Sequence, residues 1–254
     1  MSRPRTFVQV GAFTGDDALI AACRRFGHHL YMFEPNPRRA AELAQKTEGA
    51  PTIHVIAKAV SNRNGSATFH IACYDDCSSL QSFDAAANTA WVHRWHPYRH
   101  FEMVDDIEVE VIRLDTFFEQ NGIALVERLE VDAQGEDLRV VESLGARIAD
   151  VKKIQIEVNI HGSPLYSDSF TREQAVEFFA AQGFERHVSW KQSMNREENI
   201  VFRNRRFYRH RPLVAAAALL EQSWISLRIA WVKLPRVVAI TRMMLLRKLS
   251  GQRT

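Results

Sequence analysis

The chain opens with a short apolar run, Thr6 to Val10, that breaks at Gly11-Ala-Phe-Thr-Gly15; from Asp16 to Phe26 the apolar residues then follow a helical spacing. His29 to Phe33 repeats the strand pattern and closes on Glu34-Pro-Asn-Pro37, and Arg38 to Lys46 is helical in composition with prolines at its start. Ile53 to Val60 reads as a third strand. This alternation predicts a doubly wound α/β fold, a mostly parallel sheet with helices on both faces. Asn62-Arg-Asn-Gly65 is a turn signal, so a hairpin-like excursion is expected between the third strand and a strand over Ser66 to Ala72.

Residues 75–105 carry little period of either kind and crowd Trp91, His93, Trp95, His96, Tyr98 and His100 together. Alternation returns as a strand over Glu108 to Leu114, a short helix over Thr116 to Asn121, a strand over Leu129 to Val131 and a helix over Glu136 to Leu144. A strand over Ile154 to Val158, a helix over Arg172 to Gln182 and two closing antiparallel strands, Phe184 to Val188 and Asn199 to Phe202, follow. One domain is thus expected over residues 1–205. Residues 206–254 form a basic, apolar, helical extension that Pro235 should kink.

Charge divides the chain at the same place. Residues 203–254 hold 12 of the 33 Lys and Arg residues and one acid, Glu221, leaving +11 on the tail and −8 on the body. No window of the tail reaches the roughly 18 uncharged apolar residues of a spanning helix. A tail of this kind meets an anionic surface, packs on the acidic body or stays solvated. An anionic membrane is the partner expected, on the inner face, with no nucleic acid; the oligomeric state is not legible. Three cysteines, Cys23, Cys73 and Cys77, make a poor disulfide framework, and the N-terminus lacks the apolar segment of a signal peptide, so a reducing, cytoplasmic setting is expected. Neither Cys73 and Cys77 nor His93 and His96 finds a matching pair, and no metal is expected.

The chemistry begins at the first turn. Gly11 and Gly15 stand where a backbone must approach a ligand at the end of the first strand. The spacing lacks the third glycine of a pyrophosphate cradle, which suits a cofactor without phosphates, such as S-adenosylmethionine, better than a nicotinamide dinucleotide. Glu34 follows the second strand about 20 residues on, where a carboxylate accepts both hydroxyls of a ribose. Asp132 ends a strand and Glu136 starts the next helix, both on the ligand-binding rim.

These segments resemble the FkbM-type methyltransferases. The resemblance is carried by Val10-Gly-Ala-Phe-Thr-Gly-Asp16, Phe33-Glu-Pro-Asn-Pro37, Ala59 to Phe69, Ser78-Ser-Leu80, Arg113-Leu-Asp-Thr116, Leu129 to Gly145 and Ile156-Glu-Val158, in the family's order over roughly residues 7–160. It implies an S-adenosylmethionine-dependent enzyme that methylates a hydroxyl of a glycan, glycolipid or natural product, with Gln9, Gly11, Gly15, Glu34 and Asn36 on the cofactor. Gln9 replaces a common Asp, and Glu130 and Gln134 replace a common Lys and Glu. Gln9 can hydrogen-bond the cofactor's amino group but supplies no counter-charge. These departures frame an alternative, a catalytically idle domain that binds cofactor or a partner and is recruited to a membrane by its tail. Removal of the hydroxyl proton calls for a base, Asp132 first and His161 next, each following a strand. Asp132 could instead cap the following helix. The aromatic stretch from Trp91 to His100 suits an acceptor-stacking loop, a lid or a partner contact.

Overall fold

The computed structural model of the protein describes residues 3–92, 100–160 and 164–208, all within a compact unit that runs from Met1 to Arg209. The first strand, β1 (Thr6–Val10), leads through the glycine turn to α1 (Asp17–Phe26), and β2 (His29–Phe33) to α2 (Pro37–Lys46). Asp16 starts α1 by accepting from the amides of Ala18 (2.8 Å) and Leu19 (3.2 Å). Asn36 does the same for α2 through Arg38 N at 3.1 Å, with Pro37 in the first turn where a missing N–H costs nothing.

The expected single strand over residues 53–60 is two. β3 (Ile53–Ile56) pairs with β2, whereas β4 (Ala59–Val60) belongs to a second sheet. The break is a tight turn in which Lys58 N donates to Ile56 O at 2.8 Å, carrying the chain off the main sheet. The expected hairpin is also absent. β5 (Gly65–Ala72) does not pair with β4, because β6 (Met103–Ile112) lies between them, antiparallel to β5 and parallel to β4. The Asn62 to Gly65 turn is tied to Arg113 instead: Asn64 Oδ1 accepts from Arg113 N at 2.8 Å, and the guanidinium donates to Asn62 O at 2.7 Å. The irregular stretch contains a short helix, α3 (Ala87–Trp91).

From β6 the chain passes through α4 (Leu114–Gln120) back into the main sheet as β7 (Arg128–Val131), then α5 (Asp137–Glu142) and β8 (Lys153–Asn159). Next come α6 (Arg172–Ala181), opened by a Thr171/Gln174 capping box, β9 (Phe184–Gln192), β10 (Glu197–Asn204) and the short α7 (Arg205–Tyr208). The main sheet has seven strands in the order β3-β2-β1-β7-β8-β10-β9. The first five are parallel, and β10 and β9 close it antiparallel. The doubly wound fold expected from the alternation is the fold observed. Leu30 and Met32 of β2 bury against Ile20 and Cys23 of α1 and Leu43 of α2. Phe33 joins the opposite layer with Phe117 and Phe118 of α4, its ring 4.8 Å from that of Phe117. Strand order reverses between β1 and β7, and their C-terminal ends open the crevice where such sheets bind ligands.

Residues 209–254 lie outside the described residues, and the basic extension with them. Among the described residues no helix is long and apolar enough to cross a membrane.

Phe179 of α6 is fully buried and stacks on Phe202 of β10 with centroids 3.9 Å apart. Phe179→Ala should lower unfolding free energy by about 3–5 kcal/mol. Phe26→Ala, at a side chain that is 57% exposed, should change it by less than about 0.5 kcal/mol. Urea denaturation of the two variants beside the wild type checks both values.

Candidate active site

The site is set by main-chain bonds across three strand ends. Gly11 N and Ala12 N both donate to Phe33 O at 3.0 Å, and Asp132 N donates to Val10 O at 3.0 Å. Gly11 has φ +71°, and a Cβ there would stand 1.8 Å from Asp132 O, so the turn after β1 lies directly on the turn after β7 and only glycine fits. The pocket between them opens to solvent and holds about 690 Å³ of space not filled by atoms, open solvent included.

Glu34 staples one wall. Its two carboxylate oxygens accept from Phe13 N at 2.8 Å and Asn36 N at 2.9 Å, and the residue is 5% exposed. Burial raises its carboxyl above the ordinary range, against the pull of the two amides and of Arg39. An ionised carboxylate offers about four lone-pair sites, so Glu34 keeps acceptor capacity toward the pocket it lines. Phe13, in the left-handed region at φ +47°, lies under the Arg39 guanidinium at 4.6 Å, and Arg39 pairs with Asp75 at 2.7 Å. Glu136, nearly fully buried, accepts from Ser61 Oγ at 2.7 Å, from Gln81 and from Arg139 at 2.9 Å. These partners tie β7's loop to the second sheet.

The predicted residues divide. Gly11, Glu34 and Asp132 meet at the pocket. Gly15 does not line it; a Cβ there would press on Ile20 at 2.9 Å and Leu43 at 3.0 Å, so its place is in the packing of α1 and α2. Asn36 spends its side chain on the α2 cap. Gln9 points along the sheet face, with Nε2 3.4 Å from Glu130 Oε2 and Oε1 buried without a partner. His161 lies outside the described residues, as do residues 93–99. Trp91 is 3% exposed and packs with Phe101, Tyr166 and Leu165, beneath the Arg196 guanidinium at 5.3 Å. It does not present its face for stacking an acceptor.

No motif in the sequence marks Tyr166. It sits in a stretch without period, far from every motif, and reaches the site only because the loop after β8 folds back over Gly135. Its hydroxyl bonds to Gln134 Oε1 at 2.6 Å and Cys77 O at 2.9 Å. Asp132 opens to solvent at the pocket rim and is surrounded by protein elsewhere, which raises its carboxyl above the ordinary range; Gln134 Nε2, donating at 2.5 Å, opposes that rise and Asp76 adds to it.

Behind the same loop a second, smaller pocket is lined by Asp137, Glu157, Tyr166, Phe170 and Glu197. Asp137 accepts from Ala133 N at 3.2 Å and Glu157 N at 3.1 Å, locking the loop to β8. Burial raises Asp137 and Glu157 well above the carboxylate range and pushes Glu197 up to about 7. Among the described residues no group of His, Cys, Asp and Glu is placed to hold a metal ion.

The model of the methyltransferase FkbM domain matches residues 9–186, more than two thirds of the chain. The chain belongs to the FkbM methyltransferase family. S-adenosylmethionine is accordingly the cofactor expected of this family member. The chain is also similar to the 2-O-methyltransferase NoeI of Sinorhizobium fredii, 25% identical over 134 residues, which are 53% of this chain and 55% of the relative. It thus spans about half the length of that relative. Solved structures with similar chain traces include an rRNA methylase from Streptococcus thermophilus, at 10% identity and TM-score 0.40, covering 79% of this chain and 87% of that one. Another is the fibrillarin pre-rRNA processing protein of Methanococcus jannaschii, at 14% identity and TM-score 0.44, covering 80% and 67%.

A carboxyl whose pKa is raised by folding binds its proton more tightly in the folded state. The stability it contributes is therefore present below the unfolded pKa and lost as pH rises through the folded one. For Glu197 that window runs from 4.5 to about 7. The melting temperature should be higher at pH 5 than at pH 8, and Glu197→Gln should shrink the difference. Calorimetric melting across this range checks both.

Proposed function

We propose that this chain transfers a methyl group from S-adenosylmethionine to a hydroxyl of a glycan, glycolipid or similar polyhydroxylated molecule. The observation that carries the cofactor part is the charge of the pocket. Glu34, Asp75, Asp76, Asp132 and Glu136 line it against one cation, Lys58. Asp75 is offset by Arg38 and Arg39, Glu136 by Arg139, and Lys58 by Glu110, which leaves the excess negative. Such a lining favours a sulfonium and an ammonium and repels the pyrophosphate of a dinucleotide.

When bound, the cofactor supplies an electrophilic methyl group. Glu34 holds ribose hydroxyls with the lone pairs left free by Phe13 N and Asn36 N. Gly11 and Phe13 shape the wall. Asp132, at the rim, accepts the proton of the attacking hydroxyl, its carboxyl held above the ordinary range by the protein around it and by Asp76. Assignment to oxygen is supported by the likeness to the 2-O-methyltransferase. Gln9, with its carbonyl oxygen unpartnered and no charge to offer, is what favours the second reading, a domain that binds cofactor without turnover.

Titration calorimetry with S-adenosylmethionine should show binding by the wild type, weakened at least tenfold in Glu34→Ala. Asp132→Asn should retain binding and lose at least about a hundredfold in methyl transfer to sugar acceptors. Binding by the wild type with no transfer to any acceptor would establish the idle-domain reading.

The tail, with 12 basic residues against Glu221, supports salt-sensitive association with anionic membranes, a cytoplasmic, peripheral placement. Full-length protein should sediment with phosphatidylserine vesicles at low salt and a chain ending at Arg205 should not. Equal sedimentation would overturn this.

A further inference from the structure

The Tyr166 hydroxyl owns one proton and has two acceptors within reach, Cys77 O at 2.9 Å and Gln134 Oε1 at 2.6 Å. Cys77 O is a carbonyl and only accepts. When the tyrosine proton goes to Gln134, the amide's Nε2 faces Asp132 and donates to Oδ1, at 2.5 Å. When it goes to Cys77, the contact between Tyr166 and Gln134 stays favourable only if the amide turns over, Nε2 donating to the tyrosine oxygen. The turned amide then shows its own carbonyl to Asp132, which repels a carboxylate and accepts a bond from a carboxylic acid. Each polarity of the chain matches one protonation state of Asp132.

The backbone around this amide is held. Gln134 stands at φ +52°, its carbonyl accepts from Ser79 Oγ at 2.6 Å, and a Cβ on Gly135 would sit 3.0–3.2 Å from the Tyr166 side chain. The loop has no slack to slide, so a half-turn of the amide group is the motion that remains. Leucine at 134 could neither donate nor accept, and glutamate, acceptor-only when ionised, would repel the carboxylate it faces.

We propose that Gln134 and Tyr166 are positioning residues that form a reversible hydrogen-bond chain, holding Asp132 in one place both as carboxylate and as acid. The proposal rests on the reading of Asp132 as the base. In the transfer the cofactor's S–C bond and the acceptor's O–H bond break, a C–O bond forms, and the proton passes to Asp132. A base without such a chain would lose its partner at that moment and swing out of line. With it, the amide reverses, Tyr166 turns to Cys77, and the acid keeps a bond until its proton leaves to solvent.

Several other titratable groups face Asp132: Asp76 from the second sheet's loop, Asp137 of α5, Glu157 of β8 and Glu197 of β10. Lys58, Glu34, Asp75 and Glu136 share its pocket. The test must therefore separate Asp132 from them. Carbon-13 NMR of the full-length chain, labelled at Asp and Tyr and titrated with no cofactor or acceptor added, reads each group by itself, with Asp132→Asn and Tyr166→Phe assigning the signals.

The Tyr166 Cζ resonance should move with the midpoint of the Asp132 Cγ resonance, and this movement should vanish in Asp132→Asn. In Gln134→Leu the two should uncouple, and the Asp132 midpoint should rise by about one pH unit, a tenfold weaker acid, because the donor to the ionised form is gone. A Tyr166 signal that ignores the Asp132 midpoint, or that still moves in Asp132→Asn under the drive of Glu197 or another neighbour, overturns the proposal; the comparison of those two proteins stands even where Gln134→Leu fails to fold. An Asp132→Asn protein that methylates at the wild-type rate would overturn the base assignment instead and leave the measured chain intact.

Discussion

Everything at the rim depends on the contact between Gly11 and the carbonyl of Asp132. The strand ends are drawn together by Phe33 O, which takes two amide protons, and by Val10 O, which takes the Asp132 amide. A Cβ built on Gly11 would stand 1.8 Å from the Asp132 oxygen, so there is no slack between the two turns. The loop after β1 and the loop that carries Asp132, which together line the pocket, are thus one rigid piece. Catalysis by positioning needs such stiffness, because an in-line attack loses rate steeply with small displacements.

The same compactness forces a charge problem that the neighbouring residues solve locally. Glu34 and Asp137 are buried, Glu157 and Glu197 are half-buried and Asp132 opens to solvent at the rim, and the protein packed around them raises each carboxyl. Carboxylates packed in protein without donors are costly, and each has them: main-chain amides for Glu34 and Asp137, amide side chains for Asp132 and Glu157, and the Ser193 hydroxyl for Glu197. Neutral donors stabilise a carboxylate without adding cations that would repel a sulfonium. Among the acids that line the pocket, the arginines pair with Asp75 and Glu136.

How much of this was legible follows from the range of the interactions. The alternation of strands and helices is local, and it led directly to the main sheet, to the glycine turn and to Glu34. The break at Ala57–Lys58 is a single tight turn, and β6, which arrives from some 30 residues beyond β5 to lie between β4 and β5, is followed by Arg113, which bonds Asn62 and Asn64; no period within residues 53–72 records either. Gly15 and Asn36 sit in the right motifs, yet one fills a packing contact and the other caps a helix, because motif spacing cannot distinguish a residue that faces the ligand from one that holds the residue that does. Tyr166 had no signal at all; its place is created by the chain folding over Gly135.

The departures of this chain from its family then take on a physical sense. Gln134 is a neutral amide lodged between a buried phenol and the Asp132 carboxylate at the rim, and an amide is the one side chain of that length that can satisfy both at once. Glu130, on the sheet face, is paired with Arg128 at 2.8 Å and receives the Gln9 amide at 3.4 Å. Gln9 and Glu130 therefore form a matched pair. An acid at position 9 would set two carboxylates side by side there, whereas glutamine supplies the donor that Glu130 accepts. Each neutral amide thus stands beside an acid that accepts from it, Gln9 beside Glu130 and Gln134 beside Asp132.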